Sequence, residues 1–271
     1  IKTMKKIFII IILIGLTFYS CKDEDIINNP DLISTQASQD NLFAENIFND
    51  VIYIIKESMQ NSSKSKSCPD YNLINSNSSD IDTLIIDFGN SNCLNNGKLR
   101  RGVINVIFSG RYTDSSSVIS STFNNYYINN NLVQGEVVII NQGIINTGNT
   151  IFDIEVKNAS INTSNGTINW NSTTNWEWKS GKSTVEISDD SYTISGKSSG
   201  NGVNGNAFIT TITNTLKLDF SCFPYCVIKS GLVKVSPDGY NDRNINYGDS
   251  LCDCVVEVIV NEESHPLTII N

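Results

Sequence analysis

The sequence predicts a mainly β protein: one large, curved antiparallel meander sheet, half-closed like a barrel or sandwich-like, with a single N-terminal amphipathic helix packed on it. Three observations carry this. From Cys68 onward the apolar residues recur with period 2. Turn dipeptides punctuate those runs at hairpin spacing. Only one stretch of the chain, residues 40–59, has the 3.6-residue period of a helix resting on a core. The composition agrees, being rich in Asn, Ser, Thr, Ile and Gly, residue types that favour strands and turns.

In chain order, Lys5-Lys6 leads into the apolar run Ile7 to Phe18, followed by Tyr19, Ser20, Cys21 and the charged run Lys22-Asp23-Glu24-Asp25. A positive start, a short apolar stretch and a small residue at the cut are the features of a secretory signal. At about a dozen residues the run is shorter than the roughly 20 that a spanning helix needs. A cysteine directly after the small residue resembles the lipobox of bacterial lipoproteins, although Phe18 stands where Leu is commoner. The resemblance implies cleavage after Ser20, a diacylglycerol thioether on Cys21 and acylation of the new amino group. Several chains hold far more firmly than one, since each buried CH₂ contributes about 0.8 kcal/mol. The alternative is an ordinary cleaved signal with Cys21 as a plain thiol. The Lys and three acids after Cys21 resemble the export signal of surface-exposed Bacteroidota lipoproteins, which implies the outer membrane and an exterior-facing domain. Residues 1–20 are expected to be signal, with Met4 the true start, and residues 21–39 a lipidated tether. Residues 40–271 then form a single β-rich domain.

Residues 1–20 hold three lysines and no acids, so removing them leaves 16 basic against 28 acidic side chains, a net charge of −12. That sign repels phosphate backbones and makes nucleic acid a poor partner candidate, so none is expected. Asp40 is placed to cap the helix over 40–59, whose stripe is Phe43, Ile47, Val51, Ile54 and Ile55, widened by Phe48, Ile52 and Met59. An isolated helix of about 20 residues is marginal in water, so the stripe must bury against the sheet. The polar face is not basic, which disfavours a membrane-lying helix. Asn61 to Ser67 reads as a Ser/Lys linker.

The clearest strand alternates Phe208, Thr210, Ile212, Asn214, Leu216, Leu218 and Phe220 with polar neighbours. A second aligns Ile168, Trp170, Ser172, Thr174, Trp176 and Trp178, and a third Phe152, Ile154 and Val156. Alternation of this kind means one buried and one wet face, the mark of an antiparallel sheet. Asn96-Gly97, Asn165-Gly166, Gly181-Lys182, Asn201-Gly202 and Asp238-Gly239 supply the turns. Roughly eleven strands follow from this punctuation. One apolar sheet face and one helix are most economically joined by curling the sheet over the helix.

The two ends of the sheet echo one another. Cys68-Pro69-Asp70-Tyr71 precedes Ile86-Asp87-Phe88-Gly89-Asn90-Ser91-Asn92-Cys93, and Cys222-Phe223-Pro224-Tyr225 precedes Ile245-Asn246-Tyr247-Gly248-Asp249-Ser250-Leu251-Cys252. With Arg100-Arg101-Gly102, Ser109-Gly110-Arg111-Tyr112 and Thr122-Phe123-Asn124-Asn125-Tyr126-Tyr127, these segments resemble an uncharacterised family of Bacteroidota surface lipoproteins over nearly the whole mature chain. The resemblance is one of scaffold and brings no activity or catalytic residue.

Without Cys21, six cysteines remain, an even number in an exported chain, so disulfides are the default. The echo makes Cys68–Cys93 and Cys222–Cys252 equivalent bridges and leaves Cys226–Cys254. Register on adjacent antiparallel strands instead favours Cys222–Cys254 with Cys226–Cys252. Those last four cysteines also have the makings of a four-thiolate zinc site, although an oxidising compartment and irregular spacing oppose it. Trp170, Trp176 and Trp178 share one face. Exposed, they would form a sugar-stacking platform; sharing a row with Ile168, they read as core. The acids, Asp238 to Asp242 among them, match no recognised calcium loop, and acid pairs are plentiful in any acidic chain. His265 is the only histidine, and neither a phosphate loop nor a Gly-x-Ser-x-Gly elbow is present. No metal, cofactor or catalytic residue is therefore expected.

The function expected is a non-enzymatic surface lipoprotein, held to the membrane by its N-terminal lipid and binding a glycan or a protein partner. A carrier of apolar ligands would need an unfilled cavity between helix and sheet. An acid-pair glycoside hydrolase would need two carboxylates facing each other across a cleft.

Overall fold

The computed structural model describes residues 34–61, 68–74 and 81–269. The signal segment, Cys21 and the tether up to residue 33 lie outside the described residues. Among those described, no helix is long and apolar enough to cross a membrane.

The helix, α1 (Gln36–Asn61), is followed by β1 (Asp70–Ile74), β2 (Asp82–Asp87), β3 (Cys93–Asn95), β4 (Lys98–Phe108) and β5 (Val118–Ile128). Next come β6 (Asn131–Ile144), β7 (Thr150–Thr163), β8 (Gly166–Ser180), β9 (Ser191–Asn201) and β10 (Ala207–Asp219). The chain ends in β11 (Ile228–Pro237), β12 (Arg243–Asp249), β13 (Val255–Val260) and β14 (Glu263–Thr268). Short 3-10 turns at Ile187–Asp189 and Phe220–Cys222 precede β9 and β11.

All fourteen strands belong to one antiparallel meander sheet that is not closed into a barrel. Each strand pairs with its sequence neighbours except around β4, one edge of which is shared: β3 pairs with Lys98–Arg100 and β2 with Val103–Phe108. The structure thus has more strands than the roughly eleven expected. A three-residue strand such as β3 is too short to display a period in sequence.

Expected turns appear at Asn96-Gly97, Asn165-Gly166, Asn201-Gly202 and Asp238-Gly239, each at the junction of two consecutive strands. Asn129-Asn130 and Asn261-Glu262 do the same work without glycine. All four residues have positive φ, which suits the two-residue turns that match strand twist.

Bulges make the sheet curl. Register slips where Gly102, Gly135 and Gly231 sit in β4, β6 and β11. An extra residue there bends the strand and steepens its twist. Gly135 shows why glycine is required: its φ is +116°, and a Cβ would stand 2.7 Å from the Ala159 Cα and 2.8 Å from the Lys157 carbonyl oxygen.

Curled in this way, the sheet surrounds α1 instead of resting on one of its faces. Side chains of the helix meet β4 through Asp50, β5 and β8 through Phe48, β9 through Lys56 and β12 through Glu45. Only Gln39 and Gln60 are exposed between Gln36 and Gln60. The helix also starts earlier than expected. The Ser34 hydroxyl accepts the Gln36 amide at 3.2 Å, and Thr35 accepts from Gln39 with both its carbonyl and its hydroxyl. Asp40 is therefore not the cap. It lies one turn in, accepting from the Gln36 side-chain amide at 2.9 Å and from the Val203 backbone at 3.1 Å.

The echo between the sheet's ends is structural. Asp87 and Asn246 each accept the amide two residues on, from Gly89 and Gly248, both of positive φ. Phe88 and Tyr247 between them point into the core. Disulfides complete both ends: Cys68–Cys93, Cys222–Cys252 and Cys226–Cys254, with Cα separations of 6.3, 5.4 and 5.1 Å. The pairing follows the repeat and not the alternative register of Cys222–Cys254 with Cys226–Cys252. With its four cysteines joined in pairs, the zinc arrangement is not formed.

Candidate functional site

The tryptophan row faces inward. Trp170, Trp176 and Trp178 are 4%, 2% and 4% exposed, so they present no stacking platform to a sugar. Strand parity is the cause: they alternate with exposed Asn169, Asn171 and Thr173 on β8 and share the core face with Ile168. Phe48 of α1 stacks on Trp170 at 5.5 Å between ring centroids. Burial of such rings contributes about 1.5–3 kcal/mol each.

Many polar residues of α1 are buried as well, Asn41, Asp50 and Lys56 among them, and the sheet supplies a partner for each of these three. Asn41 accepts the Trp170 indole N–H at 3.0 Å and the Ser198 hydroxyl at 2.9 Å. Asp50 holds the Arg100 guanidinium by a fork of 2.6 and 2.9 Å, and the Lys98 ammonium at 2.9 Å. Arg100 also donates to the Tyr126 hydroxyl at 2.9 Å. Although burial alone would raise the Asp50 carboxyl, these cations hold it below the usual carboxylate range. Lys56 meets Asp190 and donates to the Tyr192 hydroxyl at 2.8 Å.

Glu45 touches the Tyr247 hydroxyl. Burial outweighs that hydrogen bond and pushes the Glu45 carboxyl up from 4.5 to about 7. A carboxyl raised on folding binds its proton better in the native state, so its contribution is complete below pH 4.5 and is lost as pH rises through about 7. Urea midpoints should therefore fall with rising pH across that window. Glu45→Gln should flatten the fall, and an unchanged slope in the variant would contradict the assignment.

The other sequence candidates are occupied structurally. Asp242, in the supposed calcium loop, accepts the Ser236 hydroxyl at 2.6 Å and pairs with Lys234 at 3.2 Å. His265 sits in the edge strand β14 opposite Val258.

Among the described residues, a cleft of about 410 Å³ lies open at the end of the sheet where α1 begins. Leu42, Phe43, Ile168, Val203, Leu267 and Ile269 supply its apolar surfaces. Around them stand uncharged amides and hydroxyls from the tips of two hairpins: Asn129 and Asn131 between β5 and β6, and Thr163, Ser164 and Asn165 between β7 and β8. Asp40 is the one carboxylate in the lining, so the cleft does not bring together the two acids of a glycoside hydrolase. By contrast, the gap between the flank of α1 and strands β7 to β11 measures about 30 Å³. Helix side chains fill the space along that flank.

Sequence reasoning missed this cleft, because its residues come from a helix end, two hairpin tips and the last strand. It also missed the buried polar contacts of α1. Inward-facing Tyr126, Tyr192 and Tyr247, at core parity on three strands, were the available sign that hydroxyls line the interior. Compared with family models, curated proteins and solved structures, the chain matches none of them.

Proposed function

We propose that this chain is a lipid-anchored, non-enzymatic surface module of the bacterial outer membrane whose cleft at the start of α1 binds a neutral polar ligand of the glycan class. The order of residues around Cys21 supports the anchor, and the acidic run after it supports an outward-facing position. The uncharged rim over an apolar floor carries the choice of ligand: amides and hydroxyls match sugar hydroxyls, and Phe43 with its aliphatic neighbours matches the apolar faces of a sugar ring. The net charge and the lack of a basic lining disfavour phosphorylated ligands.

One experiment tests both halves. Cys21→Ser should move the full chain from the membrane fraction to the soluble fraction; continued anchoring would overturn the lipobox. The released protein, applied to a glycan array, should bind, and Asn165→Ala with Phe43→Ala should lose that binding without loss of fold. Absence of binding, or binding indifferent to both substitutions, would remove the cleft from the function and favour a protein partner.

A further inference from the structure

Lys56 of α1 and Asp190, at the entrance to β9, are 1% and 2% exposed and 134 residues apart in sequence. The Lys56 ammonium touches Asp190 Oδ2, while Asp190 Oδ1 accepts the Trp178 indole N–H at 2.8 Å. Three rings close the site around Nζ: Trp178 at 4.1 Å, Tyr112 at 4.5 Å and Tyr192 at 5.4 Å from their centroids. The Tyr192 hydroxyl accepts from Nζ at 2.8 Å and lies 3.4 Å from that of Tyr112.

We propose that Lys56 and Asp190 react within the folded protein to form an amide cross-link between Nζ and Cγ. The groups are an amine and a carboxyl held together in a dry, aromatic-walled site. Fixing two reactants in contact replaces an improbable encounter with an internal step, worth effective molarities of about 10⁵–10⁸ M. Desolvation favours the neutral amine and the neutral acid, the forms that react: burial draws Lys56 down and Asp190 up from their ordinary values.

The step balances without any further reactant. Nζ passes one proton to Oδ2, giving amine and acid. The Nζ lone pair then attacks Cγ, and the displaced electron pair moves onto Oδ1, where the Trp178 N–H stabilises it. A second Nζ proton goes to Oδ2, the carbonyl re-forms and the Cγ–Oδ2 bond breaks. One water leaves, and the third proton remains on the amide nitrogen. Exclusion of bulk water from the site protects the product from hydrolysis.

The same fold contains a contrasting pair. Lys98 also meets a buried carboxylate, Asp50, but there the Arg100 fork adds a second cation and holds the acid ionised, and an ionised carboxylate is a poor electrophile. The chemistry is therefore expected at Lys56 and not at Lys98.

Peptide mass spectrometry of the purified full chain, reduced, alkylated and digested, tests the proposal. The expected result is a Lys56 peptide joined to an Asp190 peptide, one water lighter than their sum, with fragment ions from both. Lys56→Arg and Asp190→Ala should each abolish that species. Recovery of the two peptides separately from the unsubstituted protein would overturn the proposal, as would loss of water confined to a single peptide. Because the unsubstituted protein carries the decisive result, a variant that fails to fold does not blunt the test.

Discussion

Asp50→Ala should destabilise the protein by about 3–5 kcal/mol, the loss typical of removing one partner from a buried ion pair. The substitution strands two cations. Arg100 is fully buried and Lys98 nearly so, and both are compensated by the Asp50 carboxylate. Neither can reach water without opening the sheet at β4. The cost arises from the charges left behind more than from the pair itself, which gives the claim a second arm. Replacing all three residues by apolar ones of similar volume, Asp50→Leu with Lys98→Met and Arg100→Met, should cost less than the single change. Chemical denaturation of the three proteins would show it. A single variant within about 0.5 kcal/mol of the parent, the range of ordinary surface changes, would mean that the cluster is not buried.

Phe48→Ala and Trp170→Ala should each cost about 3–5 kcal/mol, the usual loss for a large aromatic ring removed from a packed core. The two rings stack across the helix–sheet boundary, and Phe48 also approaches Phe123 at 6.4 Å. Trp170 carries an additional term, because its N–H satisfies Asn41 inside the core. The two losses should not add, since each variant already opens the shared contact. Had the tryptophans formed a surface platform, truncation would leave stability nearly unchanged and affect only binding.

Much of the fold was legible because strand parity is a strong signal. The alternation in Ile168 to Trp178 and Phe152 to Val156 placed the inward faces correctly; in Phe208 to Phe220 it failed at Asn214, which is exposed because the register shifts on either side of it. The repeated Cys-x-x-Tyr segments pointed to the disulfide pairing that the structure shows. The helix was legible only in part. Its apolar stripe was plain, but enclosure on all sides depends on Asp50, Lys56, Glu45 and Asn41 each finding a partner on a different strand. Such pairings join residues up to 202 positions apart, and no local pattern announces them. Asp40 misled for a related reason: an acid near a helix start reads as a cap, whereas here its carboxylate reaches across to the Val203 amide. The cleft was invisible because hairpin tips meet a helix end only after the sheet has curled.

Amide hydrogen exchange along α1 tests most directly whether the helix is the enclosed axis of the sheet. Enclosure predicts that amides from Leu42 to Ser58 exchange only through global unfolding and rank with the slowest in the chain, level with those of β7 and β8. Exchange at the rate of the exposed hairpin tips would contradict it, and would return α1 to the surface as a helix resting on one face of the sheet.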